Sequence, residues 1–267
     1  MIGLVHLVWA PLGPEPLRRF LRSHREHPPG AEHELVIVLN GAGAGGNARE
    51  RLLAELEGIE HRLIVPPKPL QDLAAYAAAA AALEHERVCF LNSYSVVRVE
   101  GWLGLLAGAH AQSAVGVAGA TGSWESQAEW VRGALRWWPL QLLRLHAARR
   151  DYPRFPNPHI RTTAFMLERA LLLELGLERA VDKHAAYLLE SGRRSITRVL
   201  LEADLRAVVV GRDGHAFDVD DWAAAGTYRS GGQENLLVAD NRTEDWELAA
   251  PVLKRRLAKD AWGPAVS

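Results

Sequence analysis

The sequence predicts a single α/β domain: a mostly parallel sheet flanked by helices on both faces, Rossmann-like in layout, followed by a loop-rich C-terminal segment. Three observations carry this. Through the first half of the chain, short apolar runs alternate with amphipathic or alanine-rich stretches. Runs such as 34–39 are continuously apolar from Leu35 onward, as a strand covered on both faces requires. The runs end in glycine or small polar residues, which suits the carboxyl rim of a doubly wound sheet, where ligands bind. At 267 residues and 48% hydrophobic content, the chain is long enough for one large domain with a real core.

The elements follow in order. Residues 2–9 read as a strand, and Pro14–Ser23 as a helix with Leu17, Phe20 and Leu21 on one face. Residues 34–39 are the second strand, 48–57 a helix, 61–65 a short strand, and Pro66-Pro67-Lys68-Pro69 a rigid connection. Residues 70–83 form an alanine-rich helix able to pack close to a sheet. Strands at 88–91 and 114–118 flank a helix at 102–107. Residues 127–149 read as a long helical stretch, divided at Pro139, with Trp130, Trp137 and Trp138 as core, sugar platform or dimer contact. A proline-stiffened loop spans 152–159. A strand at 163–167 leads to a helix at 169–175 ended by Gly176. Helices at 180–190 and 195–203 are separated at Ser191-Gly192, and 205–210 is a final apolar strand. Residues 1–215 are the main unit. Residues 216–267 add a loop or lid and a closing helix, from about Trp246, to the same domain.

Bulk properties narrow the partners. A formal net charge of −1 gives no electrostatic reason to bind nucleic acid or an anionic membrane. No apolar run reaches membrane-spanning length, and the N-terminus reads as a first strand rather than a signal peptide. One cysteine, Cys89, excludes an intrachain disulfide and a multi-cysteine zinc site. These features fit a cytoplasmic protein.

The order of segments resembles the family-2-like nucleotide-sugar glycosyltransferases of the GT-A fold, over roughly residues 2–215. Leu7-Val-Trp-Ala-Pro with Pro16-Leu-Arg-Arg-Phe-Leu is similar to the family's opening strand and helix. Val36-Ile-Val-Leu-Asn-Gly is similar to its second strand, and Cys89-Phe-Leu-Asn-Ser-Tyr-Ser followed by Gly101-Trp-Leu to its metal motif. The resemblance implies a transferase moving a hexosyl-type sugar from a nucleoside-diphosphate donor to a glycan or small hydroxylated acceptor, with inversion. It implies Mg²⁺ or Mn²⁺ as cofactor, with a homodimer as a further expectation. The family's paired carboxylates are missing, however. Asn92, Ser93, Tyr94 and Ser95 occupy that place with neutral oxygens and a phenol, poor ligands for a hard cation. A metal-independent enzyme therefore stands beside a non-catalytic nucleotide- or carbohydrate-binding or scaffold protein of the same fold.

The resemblance and the residues themselves give candidate site residues. Glu190 matches the catalytic acid position, with Asp182 in reserve, and a general base there would take the acceptor proton. Trp9 stacks on a nucleobase or only packs; Asn40 stands where an acidic residue usually meets the base; Asp72 and Asn92–Tyr94 line the donor. Arg161, Arg193 and Arg194 would neutralise the leaving diphosphate, or merely coat a surface. His159, Asn235, Asp240 and Arg242 are acceptor-side or lid candidates. His215 with Asp213 is a second candidate metal pair, against the default of a solvated loop. Gly41-Ala-Gly-Ala-Gly-Gly lacks the spacing of a phosphate-loop or dinucleotide fingerprint and reads as a flexible loop near the nucleotide.

Overall fold

The computed structural model describes residues 1–43, 47–129, 146 and 148–264. Its centre is an eight-stranded sheet built from β1 (Ile2–Trp9), β2 (His33–Asn40), β3 (Arg62–Ile64), β4 (Arg87–Leu91), β6 (Val115–Gly119), β9 (Ala164–Glu168), β10 (Arg206–Val210) and β11 (Ala216–Phe217). The spatial order is β11-β10-β6-β9-β4-β1-β2-β3. Four of the seven neighbouring pairs are parallel, as expected for a mostly parallel sheet. The exceptions are the β10–β11 edge and β9, which runs antiparallel to both β4 and β6. Hydrophobic pattern fixes which residues face a core but not strand direction, so the inverted β9 was not visible in the sequence. Its inversion brings the start of β9 to the rim where β1 and β4 end.

Two cores lie on opposite faces of the sheet. On one face, Val5, Leu7, Val36 and Phe90 pack against the alanine-rich helix α3 (Asp72–Ala81) and the helices Arg169–Glu174 and Ile196–Glu202. Alanines 74, 75, 77, 79 and 80 are all buried, so α3 lies close to the sheet. On the other face, Leu4, Val8, Ile37 and Leu91 pack against α1 (Glu15–Glu26) and α4 (Trp102–His110). The helix expected from 70 begins only at Asp72. Leu70 is held instead by Asn40: its N–H donates to Asn40 Oδ1 at 3.0 Å, and Asn40 Nδ2 donates to its carbonyl at 2.8 Å.

The second half differs most from expectation. The helix α2 (Ala48–Ala54) is shorter than expected. The break at Ser191-Gly192 is observed: Lys183–Ser191 ends where Gly192 turns to extended backbone, and glycine is needed there because a Cβ would lie 2.5 Å from the Leu188 carbonyl oxygen. The segment beyond 216 is less loop-like than its composition suggests. Its short strand β12 (Val238–Ala239) pairs back onto β5 (Val96–Val97), and two helices follow, Asn241–Leu248 and Pro251–Trp262. The first opens on a capping box between Asp240 and Thr243, and the second on Pro251 at its first position. The expected long stretch at 127–149, with Trp130, Trp137, Trp138 and Pro139, lies largely outside the described residues. Among the described residues no helix is long and apolar enough to cross a membrane.

One core residue has a consequence for stability. His6 in β1 is fully buried and stacked flat on Phe20, with ring centroids 3.9 Å apart, and among the described residues neither ring nitrogen has a hydrogen-bond partner. Burial, and then the nearby His24, lower its pKa to about 3. His24 and His110 are lowered to about 4, chiefly by burial. All three fold as neutral rings, whereas in the unfolded chain they take up protons near pH 6.5. The unfolded state therefore binds more protons than the folded state below that pH, and stability falls as pH drops from about 6.5 towards 4. Urea midpoints measured from pH 7.5 to 4.5 should show this loss, and His6→Phe should flatten it. An unchanged slope in the variant would assign the loss to other groups.

Candidate active site

The carboxyl ends of β1 and β4, the start of β9 and the segments 70–72 and 240–242 surround a cleft of about 360 Å³. Its lining includes Trp9, Asp72, Asn92, Ser93, Tyr94, Arg161, Glu190, Asp240 and Arg242, all of them sequence candidates. These come from segments far apart in the chain. The fold assembles them because parallel strands deliver their C-terminal ends to one rim.

The floor is a rigid turn. Asn92 Oδ1 accepts from the Tyr94 N–H at 2.9 Å and from Ser95 Oγ at 3.2 Å; Ser95 Oγ also lies 3.1 Å from the Thr163 carbonyl. Ser93 Oγ accepts from the Trp9 N–H at 3.0 Å, tying the ends of β1 and β4 together. Trp9 lies against Gly41, where φ is +75° and a Cβ would come within 2.9 Å of the indole. Glycine is thus needed there both for its backbone conformation and for space.

The walls carry the charge. Arg161 Nη2 donates to Asp240 Oδ2 at 2.7 Å, Arg161 Nη1 donates to Thr121 Oγ1 at 3.3 Å, and the guanidinium lies 4.1 Å from the centre of the Tyr228 ring. Thr163 Oγ1 also donates to Asp240 Oδ2, at 2.7 Å, while Asp240 Oδ1 accepts from the Thr243 N–H and so caps the last-but-one helix. Burial works against charge on both partners of this pair. For Asp240 it is outweighed by the Arg161 charge and by the hydrogen bonds, which hold the carboxyl below its ordinary range; for Arg161, the Asp240 charge leads the effects that raise its pKa. Glu190 Oε1 accepts from Thr162 Oγ1 at 3.0 Å. Asp72 is pushed above the usual carboxylate range by desolvation between the walls and then by the Glu190 charge. The residue stays open to solvent, so water weakens the desolvation part.

Other candidates stand elsewhere, for local reasons. Asn40 is fully buried, and its amide is spent on Leu70, so it supports the cleft instead of lining it. Asp182 caps the helix Lys183–Ser191 by accepting from the Ala185 N–H at 2.8 Å. Arg193 and Arg194 lie past the Gly192 turn on a separate groove, where Arg193 donates to the carbonyls of Arg149 and Arg150. Glu190 and these arginines are close in sequence, but they face different surfaces. His159 is buried in β8 (His159–Ile160), with Nδ1 2.9 Å from the Asn157 carbonyl. Asn235 and Asp213 bond each other, and Asp213 Oδ1 accepts from the His215 N–H; the three form a turn and do not line the cleft. The loop at 41–46 is described only to Gly43. Gln71, Thr162 and Thr163 line the cleft and were not singled out in the sequence. Thr162 and Thr163 directly follow Arg161, so adjacency was the available signal.

The residues in place of the metal motif do not fit Mg²⁺ or Mn²⁺. Asn92 Oδ1 and Ser93 Oγ are occupied by N–H donors, and all the side-chain oxygens of the turn are uncharged. Among the described residues no group of three or more His, Cys, Asp and Glu side chains is arranged to hold a metal ion.

No family model matches the chain, and no curated protein sequence matches it significantly. Solved structures overlap it at low identity. A mannosyltransferase from Pyrobaculum calidifontis, in complex with GDP-Man and Mn²⁺, is 13% identical over 84% of this chain and 59% of its own, with a TM-score of 0.49. Glucosyl-3-phosphoglycerate synthase from Mycobacterium tuberculosis, in complex with Mn²⁺, UDP and glucosyl-3-phosphoglycerate, is 15% identical over 64% and 57%, at 0.39. TarS from S. aureus, in complex with UDP-GlcNAc, is 13% identical over 44% and 33%, at 0.35. The chain thus spans under two thirds of the length of each.

Proposed function

We propose that this protein is a glycosyltransferase that moves a sugar from a nucleoside-diphosphate donor to a hydroxyl of a glycan or small acceptor. The observation that carries this reading is the convergence in one rim cleft of Trp9, Asp72, Asn92–Tyr94 and Glu190, residues drawn from segments whose order resembles that enzyme family, with Asp240–Arg242 beside them. The cleft is large enough for part of a sugar nucleotide and mixes an aromatic wall with polar groups of both signs. Glu190 is held by Thr162 and still faces the cleft. In a single displacement it would take the proton of the acceptor hydroxyl as that oxygen bonds the anomeric carbon and the nucleoside diphosphate leaves, inverting the centre.

The neutral Asn92–Ser95 turn favours a second reading, a binding protein of the same fold without turnover. One experiment separates the two. Purified protein is titrated with ADP-, CDP-, GDP-, UDP- and dTDP-sugars, and thermal stability and released nucleoside diphosphate are both followed. Stabilisation by one donor, with release that grows when a hydroxylated acceptor is added, is the expected result. Stabilisation without release supports the binding protein. No response to any donor overturns both.

A further inference from the structure

We propose, on the sugar-nucleotide reading of this cleft, that Arg242 is the cation that holds the donor's diphosphate, with no divalent ion bound by the Asn92–Ser95 turn. The charges lining the cleft lead to this assignment. Asp72, Glu190 and Asp240 are acidic; Arg161 and Arg242 are the basic residues of the lining. Arg161 is already committed. It is paired with buried Asp240, bonded to Thr121 and stacked on Tyr228, and drawing it towards a ligand would leave the Asp240 carboxylate without its cation. Arg242 is exposed and, among the described residues, has no hydrogen-bond or ion-pair partner. Its positive charge is therefore free for an incoming anion.

The placement of Arg242 is firm although its side chain is free. The helix it belongs to is capped by Asp240, held at Thr243 by Gln233 Nε2 (3.1 Å to the carbonyl) and held at Trp246, whose indole N–H donates to the Gly231 carbonyl at 3.2 Å. Asp72 and Glu190 repel an anion from their part of the cleft, so a diphosphate is favoured on the Arg242 side and sugar or acceptor hydroxyls near the carboxylates. The turn at Asn92–Ser95 offers no anionic oxygen to recruit a bridging cation, and a guanidinium is suited to phosphate through paired N–H donors.

The test is calorimetric binding of ADP, CDP, GDP, UDP and dTDP to the full chain, in EDTA and in Mn²⁺. At least one should bind in EDTA, with its affinity changed less than about threefold by Mn²⁺. Arg242→Ala should weaken that nucleotide about ten- to a hundredfold, the range of a charge-assisted contact, and Arg242→Lys should recover part of the loss. Because the Arg242 side chain is exposed and has no hydrogen-bond or ion-pair partner among the described residues, the variants should keep the wild-type melting temperature. Binding only with Mn²⁺, or unchanged affinity in Arg242→Ala, overturns the Arg242 assignment and leaves the sugar-nucleotide reading standing. No binding of any diphosphate in either buffer removes that reading, and the assignment with it.

Discussion

Asp240→Ala should lose about 3–5 kcal/mol of folding stability, because it strands the buried guanidinium of Arg161 and removes a helix cap together. Asp240 is almost wholly buried, and its two oxygens serve different elements: Oδ2 receives Arg161 and Thr163, and Oδ1 receives the Thr243 N–H. Asp240→Asn keeps the cap acceptor and the shape but loses the charge, so its loss should be smaller. Urea unfolding at pH 7 compares the three proteins. Equal stability of wild type and Asp240→Ala would mean that the pair contributes nothing net. The acid dependence has a definite sign. The folded Asp240 pKa is depressed, so its contribution is present above the unfolded value near 3.8 and is lost as pH falls through the folded value, a window below that of the buried histidines.

Glu190→Gln should abolish most transfer while leaving donor binding intact. A positioned general base contributes typically about 10²–10⁴-fold, and the amide cannot accept the acceptor's proton in that role. It can still accept the Thr162 Oγ1 hydrogen bond, so the helix Lys183–Ser191 and the cleft wall should keep their places. The measurement is kcat with donor saturating, alongside calorimetric affinity for the nucleoside diphosphate. A variant with wild-type kcat would take Glu190 out of the proton transfer, and Asp72, the neighbouring carboxylate in the cleft, would be tested next.

Much of this was legible in the sequence. Continuous apolar runs gave the inner strands, and the alanine run gave α3, because both signals are local and strong. The strand-end stretches at Trp9 and Asn92–Tyr94 could be assigned to the rim on the same basis. What was hidden depends on long-range geometry. The reversed direction of β9 leaves no mark in a five-residue apolar strand. Arg193 and Glu190 are three residues apart, yet a single turn at Gly192 sends them to different surfaces. Asn40 has the same chemistry whether it reads a base or braces Leu70, and only the fold decides. The helix after Asp240 did carry a local signal, the Asp240–Thr243 capping box, masked by its polar surroundings.

The most direct test of the whole account is a crystal structure of the protein with the nucleoside diphosphate that binds it best. The nucleotide should lie in the cleft between Trp9 and Arg242, with phosphate oxygens within hydrogen-bond distance of the Arg242 guanidinium. A nucleotide seated in the Arg193–Arg194 groove, or anywhere that leaves this cleft vacant, would contradict it.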